Sequence, residues 1–196
     1  MKPAGTGGLF FMTTDMQFPD DEIIKLLTNP ESRDKGMRLL VEKYHVRIYK
    51  HIRHILLSHE DSNDVTQEVF VKIWQNIDKF RGDSKLYSWI YRIASNESLN
   101  YIRKNKKHKF LVRESTENYL AEILSGDPYI NGEEIQIKLQ KAIIKLPDKQ
   151  RLIFNMRYFE EIKFKEIATI LELTEGGVKS SYHIAEKKIR EYLKPD

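Results

Sequence analysis

The chain of 196 residues contains no cysteine. This excludes disulfide bonds and every zinc site that needs a thiolate, and it suits a reducing compartment. No apolar run approaches the roughly 18 residues that a membrane-spanning helix needs. The first twenty residues also lack the long apolar core of a signal peptide. We therefore expect a cytoplasmic protein without membrane insertion.

The sequence also lacks the motifs of common enzymes. It has no nucleophile elbow, no phosphate-binding loop and no evident acid/base pair. Gly5, Gly7 and Gly8 are not followed by the strand and helix that would make them a phosphate cradle. No strand-like alternation of polar and apolar residues occurs. We therefore expect neither an enzyme nor a cofactor.

Helical periodicity dominates instead, which predicts an all-α fold. Helices are expected over roughly 34–57, 86–105, 133–145, 148–159, 163–171 and 174–193, with a short one near Ile23–Leu27 and another after Asp61 or Ser62. Breaker residues cluster at 125–128 and 131–132. The predicted organisation is a disordered N-terminal extension (1–19, which leaves Met1, Met12 or Met16 as the start), a helical domain (20–108), a flexible acidic linker (109–132) and a second helical domain (133–196).

The last thirty residues have the pattern of a helix-turn-helix. Ile167, Ala168 and Leu171 give a short helix one apolar face, and Val178 begins the apolar face of a second. Thr174 is placed to cap the second helix. A helix of this kind can enter a major groove of DNA, whereas the plainer interpretation is two packed amphipathic helices.

The helix predicted at 86–105 combines aromatic and basic side chains and runs into the basic segment RKNKKHK at 103–109. Aromatic stacking and phosphate neutralisation are the chemistry of single-strand binding. The alternative is that Trp89 belongs to the core and that the lysines solvate a helix end, where the dipole favours cations.

Two groups of side chains invite a metal-site interpretation. Asp61, Asp64 and Glu68 share a helix face, but no second group of carboxylates is evident, so a polar docking face is the better interpretation. His45, His51 and His54 lie on one predicted helix, and the last two are three residues apart without an evident third ligand, so we expect exposed histidines rather than a zinc pair. No metal is predicted.

Three segments in this order resemble the extracytoplasmic-function (ECF) sigma factors of bacterial RNA polymerase. They read DSNDVTQEVFVKIWQNIDKF at 61–80, LYSWIYRIASNESLNYIRK at 86–104, and LPDKQRLIFNMRYFEEIKFKEIATILELTEGGVKSSYHIAEKKI at 146–189. The resemblance implies a sigma region-2-like bundle followed by a region-4-like helix-turn-helix. It implies a subunit that binds core RNA polymerase, through the clamp helices of the largest subunit and the flap, together with promoter DNA and, in some members, an anti-sigma factor.

The resemblance also implies roles for individual residues. It assigns polymerase docking to Asp61, Asp64, Gln67, Glu68 and Lys72. It assigns binding and melting of the minus-ten element to Arg81, Tyr87, Trp89, Arg92, Asn96, Asn100, Arg103 and Lys104. It assigns binding of the minus-thirty-five element to Thr174, Glu175, Gly177, Lys179, Ser180, Ser181, His183 and Lys187.

The chain departs from the family pattern in a few places. Many members carry arginine at the positions of Ser181 and Ile184, threonine at that of Gly177 and aspartate at that of Asn100. Two other functions compete with the sigma-factor interpretation. A helix-turn-helix regulator that binds an operator as a dimer would leave 61–104 unexplained, and a carboxylate-dependent metal enzyme would have to bind metal.

Overall fold

The computed structural model describes residues 18–110 and 134–194, with side chains except at 106–110 and 134–135. All regular structure in these ranges is helical, which confirms the all-α prediction. A 3-10 turn at Ile77–Lys79 follows α3. The helices are α1 (Asp20–Thr28), α2 (Arg33–Leu56), α3 (His59–Asn76), α4 (Leu86–Phe110), α5 (Glu134–Ile144), α6 (Asp148–Tyr158), α7 (Phe164–Leu171) and α8 (Glu175–Leu193).

Helices α1 to α4 form the first group, and their buried stripes are those expected from the apolar spacing. The start of α3 differs from the prediction. We expected this helix to begin after Asp61 or Ser62, but it begins at His59, because the hydroxyl of Ser58 accepts the Asp61 N–H at 3.2 Å. The stripes are Leu40, Tyr44, Ile48 and Ile52 on α2, Val65, Val69 and Ile73 on α3, and Leu86, Ile90 and Ala94 on α4.

Helices α5 to α8 form the second group, and α7 and α8 make the expected helix-turn-helix. Helix α7 ends where Glu172 takes a left-handed conformation with φ 55°, and the N–H of Leu173 bonds back to the Ala168 carbonyl at 2.9 Å. Thr174 then caps α8, its hydroxyl accepting the Gly177 N–H at 3.1 Å. This confirms the predicted cap.

The two groups pack against each other, which the sequence analysis did not predict. Ile153 and Met156 of α6 and Ile167 of α7 belong to the same buried apolar cluster as Ile52 of α2 and Ile90 of α4. Helix α2 contacts α6, and α4 contacts α7. The predicted linker falls almost wholly outside the described residues, as does nearly all of the N-terminal extension, so the domain boundaries stay predictions.

Candidate nucleic-acid interface

One polar stripe runs along α4 on the side away from the core. Asn96, Asn100, Arg103 and Lys104 follow one another at four, three and one residues, so they share a helix face. Asn96, Arg103 and Lys104 are exposed, and Arg103 donates to the side-chain oxygen of Asn100 at 3.4 Å. Amide groups can address base edges and cations can address phosphates, so the stripe suits a nucleic-acid strand.

Arg92 lies one turn before Asn96 on the same face, but its guanidinium is already engaged. Its Nε donates to the Ile170 carbonyl at 3.2 Å and its Nη2 to the Thr169 carbonyl at 2.9 Å. Its Nη1 donates to the carboxylate of Glu172 at 2.7 Å. All three acceptors lie at the end of α7, in the other group of helices.

The aromatic candidates at the start of α4 are only partly accessible. Trp89 is half-buried and packs against Phe80, with 5.4 Å between ring centroids. The ring centroids of Tyr87 and Tyr91 lie 4.4 Å apart. Burial raises the pKa of both phenols well above the ordinary value, and the negative charge of nearby Glu160 raises it further. Arg81, in the turn before α4, is exposed. Basic residues therefore offer more open surface here than the rings do.

A second polar face lies on α3. Asp64, Gln67 and Glu68 are exposed on the side opposite the buried Val65 and Val69. The residues at the two ends of this face are bonded to α4. Asp61 accepts the Tyr101 hydroxyl at 2.7 Å. Burial, and after it this hydrogen bond, raise the pKa of Tyr101 to about 12. Lys72 bonds Glu97 of α4 and lies 3.5 Å from Glu68, and the bond to Glu97 raises the pKa of Lys72.

The third face is the first half of α8, together with its cap. Glu175 and Lys179, four residues apart, form an ion pair at 2.7 Å, and the ammonium lowers the pKa of Glu175. Gly177 is exposed, and its N–H is the group that the Thr174 cap binds. Of the remaining candidates, Ser181 is half-buried, whereas Ser180, His183 and Lys187 are exposed.

The expectation of exposed histidines on α2 is wrong for two of them. His51 is fully buried because its ring bonds Glu160 at Nδ1 (2.8 Å) and Ser95 at Nε2 (3.0 Å). His54 stacks on Phe159 at 4.5 Å, and burial lowers its pKa to about 4. Within residues 18–110 and 134–194, no three histidine, cysteine or acidic residues are grouped so that they could hold a metal ion.

Comparison with known proteins matches both groups of helices. Residues 40–108 match the model of Sigma-70 region 2, and residues 136–189 match that of Sigma-70 region 4. The chain is 31% identical over 163 residues to the ECF RNA polymerase sigma factor SigW of Bacillus subtilis, an alignment that spans 79% of this chain and 87% of SigW. The chain belongs to the ECF family of RNA polymerase sigma factors. It is a transcription-initiation factor.

Other relatives agree with this assignment. The ECF sigma-E factor of Escherichia coli (strain K12) is 30% identical over 169 residues, which cover 82% of this sigma factor and 88% of the relative. A solved structure of CnrH in complex with the cytosolic domain of CnrY shares the fold, with a TM-score of 0.64, 20% identity and coverage of 89% and 96%. Sigma factor RpoE in complex with the anti-sigma factor NepR, from Bartonella quintana, matches with a TM-score of 0.60, 22% identity and coverage of 84% and 99%. In the described part of this sigma factor, no helix combines the length and apolar character that crossing a bilayer requires.

Sequence reasoning missed the residues that join the two groups of helices. Asn155, Glu160 and Glu172 were not singled out, because a polar residue within or just after a helix looks solvated when the opposing element is unknown. Asn155 offered one signal. It lies amid the apolar residues of α6, between Phe154 and Met156, a place where a polar side chain needs a partner.

Proposed function

We propose that the first helical domain (20–108) docks on core RNA polymerase and melts the minus-ten element, and that the second (133–196) binds the minus-thirty-five element. The observation that carries the proposal is the pair of exposed polar helix faces, on α4 and on α8, in a chain that matches region 2 and region 4 in the same order. The partners are the clamp helices and flap of the polymerase, promoter DNA and an anti-sigma factor. The chain acts in the cytoplasm as a non-enzymatic subunit.

Transcription in vitro tests this function. Purified chain is added to core polymerase with a library of genomic fragments, and the transcript start sites are sequenced. We expect starts that share upstream elements and vanish without the chain. Starts that are scattered, or unchanged by the chain, would contradict the proposal.

The docking role is assigned to the α3 face, where Glu68 is exposed and lies 3.5 Å from the ammonium of Lys72. Glu68→Lys reverses one charge on a solvated position, so α3 should persist while assembly with core polymerase weakens. Glu22→Lys on α1 makes the same charge change on an exposed position and serves as the control. Equal co-purification of both variants with core enzyme, across several salt concentrations, would count against this docking face.

The minus-ten role is assigned to the stripe on α4. Lys104→Ala should weaken DNA binding uniformly and lower the salt slope by about one unit, because one phosphate contact is lost. Asn96→Ala should change base preference instead. Lys25→Ala, at an exposed position of α1, controls for the loss of a charge. Permanganate reactivity of promoter thymines reports melting. If both stripe variants melt promoters as the parent does, the stripe is not the minus-ten surface.

The minus-thirty-five role is assigned to the start of α8. We propose that Glu175 accepts a hydrogen bond from a base and that Lys179 binds phosphate. Since the two side chains pair at 2.7 Å, substitution of either one also removes that ion pair. Loss of one base contact is worth about 1–3 kcal/mol, which is roughly 5- to 150-fold in preference. Glu175→Ala should therefore relax discrimination at one base pair, whereas Lys179→Ala should lower activity on all promoters. Identical base preferences of parent and Glu175→Ala in a library of upstream elements would refute base readout.

A further inference from the structure

Each group of helices caps the end of a helix in the other. The carbonyls in the last turn of an α-helix have no partner within the helix, and that end carries partial negative charge. At the end of α7, the Ala168 carbonyl is satisfied locally by Leu173, while those of Thr169 and Ile170 accept from Arg92 of α4. A cation from one domain therefore caps a helix of the other.

The reverse contact lies at the end of α2. There the Arg53 carbonyl accepts from Leu57 N–H, and the next carbonyl, that of His54, accepts from the side chain of Asn155 on α6 at 2.8 Å. Asn155 is fully buried. The side-chain amide of Asn155 makes no other hydrogen bond among the described residues. Its one partner therefore lies in the other group of helices.

A series of buried hydrogen bonds also links the two groups of helices. The hydroxyl of Ser95 donates to the Tyr91 carbonyl at 2.7 Å, so its oxygen accepts from Nε2–H of His51. Nδ1 of His51 faces the carboxyl group of Glu160 at 2.8 Å, a contact that needs a proton between the two atoms. Glu160 is thereby held from across the interface by a histidine that is itself fixed by Ser95.

These contacts form an interdomain latch, made of Arg92 with Glu172 and the α7 end, Asn155 with the α2 end, and His51 with Glu160. We infer that the latch holds the free sigma factor closed, and that the minus-ten strand and the end of α7 compete for the guanidinium of Arg92. The second half of this inference rests on the proposed function. Three of the five guanidinium N–H groups, one on each nitrogen, are bonded in the closed form, so a phosphate on the α4 face competes with the end of α7 and with Glu172 for this side chain.

The closed form can be tested without DNA. Because the chain has no cysteine, Lys25→Cys on α1 and Lys149→Cys on α6 would be its only sites for thiol-specific spin labels, and both positions are exposed. Electron–electron double resonance on the free, full chain should then give one narrow distance distribution. A distribution that is already broad in the parent would overturn the latch.

Two glutamates give a matched pair of variants. Glu172 and Glu161 are both exposed and both have φ 55°, but only Glu172 contacts Arg92. Glu172→Lys places a cation against Arg92 and should add a population at longer distance, whereas Glu161→Lys makes the same change and should keep the parent distribution. The inference fails if Glu172→Lys keeps the parent distribution, or if Glu161→Lys broadens it equally.

The competition needs a second readout, which is the binding of a labelled single-stranded minus-ten oligonucleotide to the free chain. Both variants add the same charge, so non-specific attraction rises equally in both. We expect Glu172→Lys to bind at least threefold more tightly than Glu161→Lys, because it releases Arg92. Equal affinities would overturn the competition. A different outcome would separate the two proposals. If the spin labels show the closed form but no variant binds the oligonucleotide, the proposed minus-ten surface is refuted and the closed form is retained.

Discussion

The pKa of His54 predicts a specific dependence of stability on pH. Burial lowers this pKa from 6.5 to about 4, and the charges of His51, Arg53 and Lys50 act in the same direction, while Glu160 opposes them. In the folded, closed chain His54 is neutral at every pH above about 4. When the chain unfolds, the ring regains its ordinary affinity for a proton.

The sign follows from this difference. A histidine whose folded pKa is depressed contributes no penalty above 6.5, and it destabilises the fold progressively as pH falls from 6.5 toward 4. Each unit of pH within that window is worth up to about 1.4 kcal/mol. Lowering the pH from 7.5 to 5.5 crosses one unit of the window, so His54 should reduce the free energy of unfolding by up to about 1.4 kcal/mol.

A non-titrating variant isolates this contribution. His54→Phe keeps a ring against Phe159, and it leaves every other titrating group in place, His51 and Glu160 included. Urea unfolding of both chains at several pH values gives the free energy of unfolding and its dependence on pH. The parent should lose more stability than His54→Phe between pH 7.5 and 5.5, whatever the offset between the two curves. Parallel curves would refute burial of a neutral His54 at this interface.

Three further substitutions test local features by the same urea unfolding. Thr174→Ala should lower the free energy of unfolding by about 1 kcal/mol, because Gly177 N–H loses its cap, and no change would contradict the cap. Gly176→Ala should raise it by about 0.5–1 kcal/mol, since a Cβ there meets nothing within 4 Å, and a loss would show an unrecognised close contact. Asn155→Leu should lower it by about 0.5–1.5 kcal/mol, because the part-buried His54 carbonyl loses its partner, and an unchanged value would place that carbonyl in water.

The helices and their buried faces could be predicted from the sequence because the signals are local. Val65, Val69 and Ile73 recur at four-residue spacing, and they are buried on α3 as that spacing requires. Thr174 was predicted to cap α8 because a hydroxyl just before a helix has a free N–H within reach. The start of α3 was missed because Ser58, Asp61 and Ser62 are all competent caps, and only the chain's path after Leu57, which takes φ 66°, selects the first.

The contacts between the two groups of helices could not be predicted in this way, since they depend on partners more than 70 residues apart. Arg92 lies by its spacing on the same face of α4 as Asn96. Nothing in the spacing shows that the end of α7 lies against that face. The same limit applies to His51, which looks solvated beside Lys50 in the sequence but is buried against Glu160, Ser95 and Tyr91.

The position of the latch suggests an order for polymerase docking and promoter binding. Glu68, on the proposed docking face, is exposed and is not among the latch residues, so the latch leaves this part of α3 uncovered. Arg92 lies on the same α4 face as Asn96, so the end of α7 occupies one end of the proposed minus-ten surface and leaves the other end open. Docking that pulls the two groups of helices apart would break the caps on α2 and α7 and expose Arg92 in the same step. A free sigma factor would then bind promoter DNA weakly, and the full surface would form only where polymerase is already bound.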